Sequence, residues 1–168
     1  MANVNTAHVN NLKPITTLLV ANRGEIARRI MRTAKEMGIS TVAIYADGDA
    51  QAPFVTEADS AIALGGRTST ETYLDVSKVL DACNRSGADA VHPGYGFLSE
   101  NADFARAISN AGISWIGPTP EVISAMGDKL SAKELMEEAE VPTLPAIEIT
   151  PETDLVRAAG EIGYPVLV

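Results

Sequence analysis

A ten-residue run, His92-Pro93-Gly94-Tyr95-Gly96-Phe97-Leu98-Ser99-Glu100-Asn101, holds more reactive side chains than a connector needs. An imidazole such as His92 can serve as a base, a metal ligand or a hydrogen-bonding structural group. Pro93 biases it to extended geometry, and no second His or Cys adjoins it, so a shape-holding role suits it best and a zinc site is not expected. Glycines on both sides of Tyr95 free the backbone to turn. A tyrosine held there offers a flat face and a hydroxyl to a ligand, or it packs; the residues alone leave both open. Glu100 and Asn101 fit a helix start, where side-chain oxygens cap free N–H groups.

Three other places carry chemistry-bearing types. Gly127-Asp128-Lys129 sets an ammonium just before Ser131, a plausible helix cap. Lys129 is either a solvated lysine in a turn or a cation for phosphate oxygens beside a helix start. Ala21-Asn22-Arg23-Gly24-Glu25 sits at the first strand-to-helix turn, where a dinucleotide fold holds phosphate. It lacks the G-x-G-x-x-G glycines, so nicotinamide or flavin binding is not expected. Asn22 reads as the helix cap, and Arg23 at a helix N-terminus opposes the dipole, which hints at a specific partner. Arg32 and Glu36, four apart on a polar helix face, form either a solvated pair or part of an interface.

The elements that must position these groups follow from periodicity. Strands are expected at Thr17–Ala21, Thr41–Tyr45, Ser60–Leu64, Ala90–His92 and Ser114–Ile116. Helices are expected after the first strand, with Ile26, Ile30, Met31, Ala34 and Met37 as its stripe, from about Thr70–Thr72 to Ser86, and from about Asn101 to Ala111. This alternation specifies an α/β fold with a doubly wound, mostly parallel sheet. In such a sheet ligands bind beyond the strand C-termini, where the His92 run would lie. After Pro118 the pattern changes to short helices, Pro120–Met126, Ser131–Ala139 and one after Pro151, with a Pro-punctuated piece over Val141–Pro145. A boundary falls near Gly127, giving a tail over 1–14, a first domain over 15–126 and the start of a second over 127–168. The final residues, Ile162 to Val168, read as a turn entering a buried strand. A lone strand cannot bury itself, so the sequence reads as a piece of a longer protein.

Composition bounds the function. Of 168 residues, 46% are hydrophobic and 21% charged, an ordinary globular balance. A net charge of −9 argues against a nucleic-acid partner or an anionic membrane surface. No apolar run reaches the ~20 residues that cross a bilayer. The polar, Asn-rich tail has neither an arginine nor an apolar stretch, unlike a transit or secretory peptide. Cys83 is the single cysteine, spaced helically with Val76 and Leu80, and reads as a small buried hydrophobe. Such cysteine use suits a reducing, cytoplasmic setting.

Taken together, Ala21-Asn22-Arg23-Gly24-Glu25, the run from His92 to Asn101, Ile116-Gly117-Pro118, Met126-Gly127-Asp128-Lys129 and Gly163-Tyr164-Pro165 resemble the N-terminal part of a biotin carboxylase. The resemblance runs from about Thr16 to Val168. It implies a Rossmann-like pre-ATP-grasp domain followed by the truncated start of an ATP-grasp domain. It implies a ligase that uses ATP with Mg2+ or Mn2+ to turn bicarbonate into carboxyphosphate and carboxylates biotin on a carrier domain. It implies ATP contact by Lys129, a biotin wall at Tyr95 and Gly96, and a homodimer contact around Arg32 and Glu36. His92, Glu100 and Asn101 would hold the elbow's shape. A carboxyltransferase subunit would take the carboxyl group onward. Rival readings are a stand-alone nucleotide-binding or dimerisation module, or a piece of another ATP-grasp ligase such as carbamoyl-phosphate synthetase. In the family, the catalytic and metal-holding residues lie past the position of Val168, so none is expected among these 168. The purified chain alone is therefore expected to bind ATP very weakly and turn over nothing; bicarbonate-dependent ATP hydrolysis by it would overturn that expectation.

Overall fold

The computed structural model describes residues 13–127 and 129–167, with the backbone alone for Lys129 and Leu130. The expected tail falls mostly outside these residues, as do Asp128 and Val168. The chain forms two compact units that divide between Ile123 and Ser124.

The first unit is built on five strands: β1 (Thr17–Val20), β2 (Ser40–Tyr45), β3 (Ser60–Ala63), β4 (Ala90–His92) and β5 (Ser114–Trp115). Their order is β3-β2-β1-β4-β5, and every neighbouring pair is parallel. The sheet therefore winds one way from β1 to β3 and the other way from β4 to β5. Its order reverses between β1 and β4.

Because side chains alternate along a strand, the two faces of β1 feed two cores. Leu18 and Val20 pack with Ala27, Met31 and Ala34 of helix α1 (Gly24–Glu36) and with Phe54 of the short helix α2 (Pro53–Thr56). Leu19 and Ala21 face the other way, toward helices α3 (Val76–Ser86) and α4 (Ala102–Asn110). Phe104 and Ile108 of α4 are fully buried there, and Trp115 meets the Phe104 ring edge-on at 5.4 Å. Cys83 is buried in this core, and burial pushes its thiol up to about 12, which keeps it protonated and unreactive.

Three local expectations are corrected. The second long helix starts at Val76, because the Asp75 carboxylate caps the Lys78 N–H at 3.1 Å. The segment before it is a turn in which Glu71 accepts from the Arg67 and Thr68 N–H groups. Met37, expected on the buried stripe of α1, is 70% exposed: the helix has ended, and Gly38 turns the chain away at φ 76. β1, β3 and β5 each stop one residue earlier than their apolar runs suggest.

The second unit contains helices α6 (Lys129–Glu138) and α7 (Leu155–Ile162), and α5 (Pro120–Gly127) straddles the division. Ser131, expected ahead of this helix, lies inside α6. Asp154 caps α7, accepting from the Val156 and Arg157 N–H groups at 3.1 Å. Residues 163–167, expected to turn into a strand, form none.

Two carboxylates tie the N-terminal edge of the sheet. Asp89, just before β4, accepts from the Thr16 and Thr17 N–H groups at the head of β1 and from the Thr16 hydroxyl at 2.6 Å. Asp59, just before β3, accepts from the Thr41 hydroxyl at 2.7 Å and its N–H at 2.9 Å on β2. These bonds, with Lys35 at 3.1 Å, hold the Asp59 carboxyl at about 2. A depressed carboxyl adds stability above its ordinary value near 3.8 and loses it as pH falls toward 2. Asp59→Asn should therefore lower Tm at pH 6, and its deficit against wild type should shrink as pH falls from 4 to 2 in thermal melts.

Candidate functional site

The loops that leave β1 and β4 meet where the sheet order reverses, the position at which open α/β sheets bind ligands. Asn22 joins them. Its side chain is fully buried, its Nδ2 donates to the Pro93 carbonyl at 2.7 Å and the Tyr95 carbonyl at 3.0 Å, and its Oδ1 accepts from the Arg23 N–H. Asn22 is thus not the cap of α1. Arg23 occupies that position and gives no side-chain cap. The expectation followed the local rule for Asn before a helix; the real partners lie about seventy residues along the chain.

Gly94 is the complement of Asn22. It sits at φ 69, and a Cβ there would lie 2.7 Å from both Asn22 Nδ2 and Ile26 Cγ2. Its N–H donates to His92 Nδ1 at 3.0 Å. His92 is half-buried, and burial holds its imidazole below the usual range, so it is neutral at neutral pH and accepts at Nδ1. Asn22 and the two carbonyls it binds thus stand at the turn where a dinucleotide fold carries its glycines.

From this frame the elbow projects outward. Tyr95 is 58% exposed, so its ring is presented to solvent and is not part of either core. Gly96 follows at φ 69, with open space where a Cβ would stand. Asn101 caps α4, its Oδ1 accepting from the Phe104 N–H at 2.8 Å, while Glu100 is exposed.

Arg23 has the partner that its position called for. Its Nε donates to Asp49 at 2.8 Å, a second guanidinium nitrogen pairs with the other Asp49 oxygen, and its charge lies 5.9 Å from the Tyr73 ring centre. Partial burial works against the Asp49 charge, yet the bonds from Arg23 and Tyr73 outweigh it and keep the carboxyl below its usual range. Asp49 and Tyr73 carry no sequence signal of their own beyond an acidic turn and an apolar aromatic.

The structure therefore gathers His92, Tyr95, Gly96 and Asn101 on one elbow, with Asn22 as the residue that sequence reasoning missed. Arg32 and Glu36 are elsewhere, exposed on α1 and making no ion pair with each other. With Arg28, Arg29, Lys35 and Glu57 they line a charged surface depression of about 560 Å3. Lys129 opens α6 in the second unit, and its side chain lies outside the described residues. Among the described residues no three His, Cys, Asp or Glu side chains cluster as a metal would need, and no helix is long and apolar enough to cross a membrane.

The family model for the N-terminal domain of biotin carboxylase matches residues 14–123. The chain belongs to the biotin carboxylase family. It is 50% identical over 159 residues to the biotin-dependent acyl-coenzyme A carboxylase alpha3 subunit of Mycobacterium leprae, covering 92% of this chain and 26% of that one. It is 48% identical to the biotin carboxylase of Halalkalibacterium halodurans, over 90% of this chain and 34% of that one. Among solved structures it superposes on the biotin carboxylase domain of a thermophilic 2-oxoglutarate carboxylase bound to bicarbonate. The TM-score is 0.79 at 47% identity, over 91% of this chain and 35% of that one. The chain thus spans about a quarter to a third of the length of these biotin carboxylase relatives.

Asn22→Ala strips one buried and one partly buried carbonyl of their donor. A loss of about 2–3 kcal/mol is expected, read as a lower midpoint in urea unfolding at unchanged slope; an unchanged midpoint would show that the two loops do not depend on the amide.

Proposed function

We propose that this chain contributes one wall of the biotin site of an ATP-dependent biotin carboxylase. The observation that carries the reading is the exposed Tyr95 ring on a glycine-flanked elbow, at the reversal point of the sheet. A flat aromatic face beside open backbone at Gly96 suits a small, largely apolar bicyclic ring carrying a polar amide edge. The elbow residues thus fit biotin on one side. They do not fit a metal ion, since no acidic or imidazole cluster is present among those described. Mg2+ or Mn2+, and bicarbonate, would be held by other parts of the protein.

When bound, ATP would supply the activation of bicarbonate as carboxyphosphate. What this chain supplies is placement. The Asn22 amide, and the neutral His92 imidazole that accepts from the Gly94 N–H, hold the elbow. Lys129, at the first position of α6, is the proposed ATP contact, opening an ATP-grasp region over 127–168 after a first domain over 15–126. The exposed Leu144, Ile149, Leu155 and Val156 of the second unit suit a layer that packs against further structure. A biotin carboxyl carrier domain would bring the biotin and a carboxyltransferase subunit would accept the product, in the cytoplasm. The charged face around Arg32 and Glu36 would meet a second copy of the protein.

In the full-length enzyme, Tyr95→Ala should raise the KM for biotin about tenfold with little change in Tm. His92→Ala should instead lower Tm by several degrees. A biotin KM untouched by Tyr95→Ala would remove the elbow from the biotin site.

A further inference from the structure

The elbow contains a residue that its turn does not explain. Phe97 adopts φ 46, a left-handed conformation that glycine or asparagine takes readily and a phenylalanine resists. It directly follows Gly96, and Ser99 closes the turn by donating to the Gly96 carbonyl at 3.0 Å. A turn alone would be better served by a smaller residue, so the ring must be what holds Phe97 there. That ring stacks on Tyr73, with centroids 5.2 Å apart and planes 22° from parallel.

Tyr73 in turn is immobilised. It is buried, its hydroxyl donates to Asp49 at 2.6 Å and accepts from the Ala46 N–H at 3.1 Å. Arg23 both pairs with that Asp49 and covers the Tyr73 ring. A rigid chain of contacts therefore runs from the start of α1, through Asp49 and Tyr73, to the Phe97 ring.

We infer that Phe97, anchored by Tyr73, is a positioning residue that aims Tyr95 and Gly96. The geometry requires such a device. With Gly94 and Gly96 both left-handed, the Tyr95 segment has glycine freedom on each side. Asn22 fixes it only at the Pro93 and Tyr95 carbonyls. Beyond Tyr95, the chain is held by the Ser99 N–H on the Gly96 carbonyl and, through a side chain, by the Phe97 ring. Locking the Cα–Cβ direction of Phe97 fixes the peptide that joins it to Gly96, and with it the course of the chain from Tyr95. The inference rests on Tyr95 and Gly96 being the biotin wall.

In the full-length carboxylase, Phe97→Leu and Tyr73→Leu should each raise the KM for free biotin about fivefold, with the KM for ATP held within about twofold. The double variant should match the singles, because all three remove the same stack. Phe97→Tyr keeps the ring and should keep the wild-type KM for biotin. Both KM values rising together in step with lost thermal stability, or additive effects in the double variant, would overturn the inference. If Phe97→Leu does not fold, Tyr73→Leu and Phe97→Tyr carry the comparison. Tyr95→Ala measured alongside separates the two ideas. A biotin KM raised by Tyr95→Ala but untouched by the Phe97 and Tyr73 variants overturns the positioning role alone. A biotin KM untouched by Tyr95→Ala overturns the wall itself, and the positioning role with it.

Discussion

Where the sheet order reverses, two loops leave parallel strands and must be held together without a ladder between them. The Asn22 amide supplies that link, one side chain giving two bonds to the β4 loop and taking one from its own. Buried carbonyls left unpaired would each cost on the order of 1–3 kcal/mol, so this amide is the constraint to which the elbow conforms. Gly94 must lack a Cβ because of it, and Gly94 in turn brings its N–H to His92. The same amide stands at the turn where a dinucleotide fold carries its phosphate-binding glycines.

The two edges of the sheet divide the labour. Beyond the C-terminal ends lie the exposed aromatic, the left-handed glycines and the Arg23–Asp49–Tyr73 cluster, all of them constrained backbone or partly desolvated charge. At the N-terminal ends lie ordinary carboxylate-to-strand bonds from Asp59 and Asp89. No buried side-chain nitrogen or oxygen among the described residues lacks a partner, so the cluster at the functional edge is fully satisfied. Its rigidity is what allows a glycine-rich elbow to hold one shape.

Much of this could be read from the chain because local and global signals agreed. The strand–helix alternation, the buried Phe104, Ala105 and Ile108 face and the Asn101 cap all follow from short-range rules. The misreadings share a cause. Asn22 obeys a local capping rule, yet its partners are distant in sequence. Thr70 to Thr72 look like a helix start, but the Glu71 carboxylate ties them into a turn and Asp75 takes the cap. Phe97 reads as one more apolar residue, because nothing in a sequence announces a left-handed phenylalanine. Family resemblance located Tyr95 and Gly96, while the contacts that hold them became visible only in three dimensions.

The aspartates ahead of β3 and β4 have one more consequence. β1, β2 and β4 are short and mostly apolar, and sliding one past its neighbour by two residues would keep every side chain on its own face. Hydrophobic burial alone discriminates poorly between such slipped pairings. Asp89 can reach the Thr16 and Thr17 N–H groups in only one of them, and Asp59 can reach Thr41 in only one. These two side chains act as alignment marks for the assembling sheet. Asp89 in particular ensures that when β1 and β4 come together, Asn22 arrives within reach of the Pro93 carbonyl.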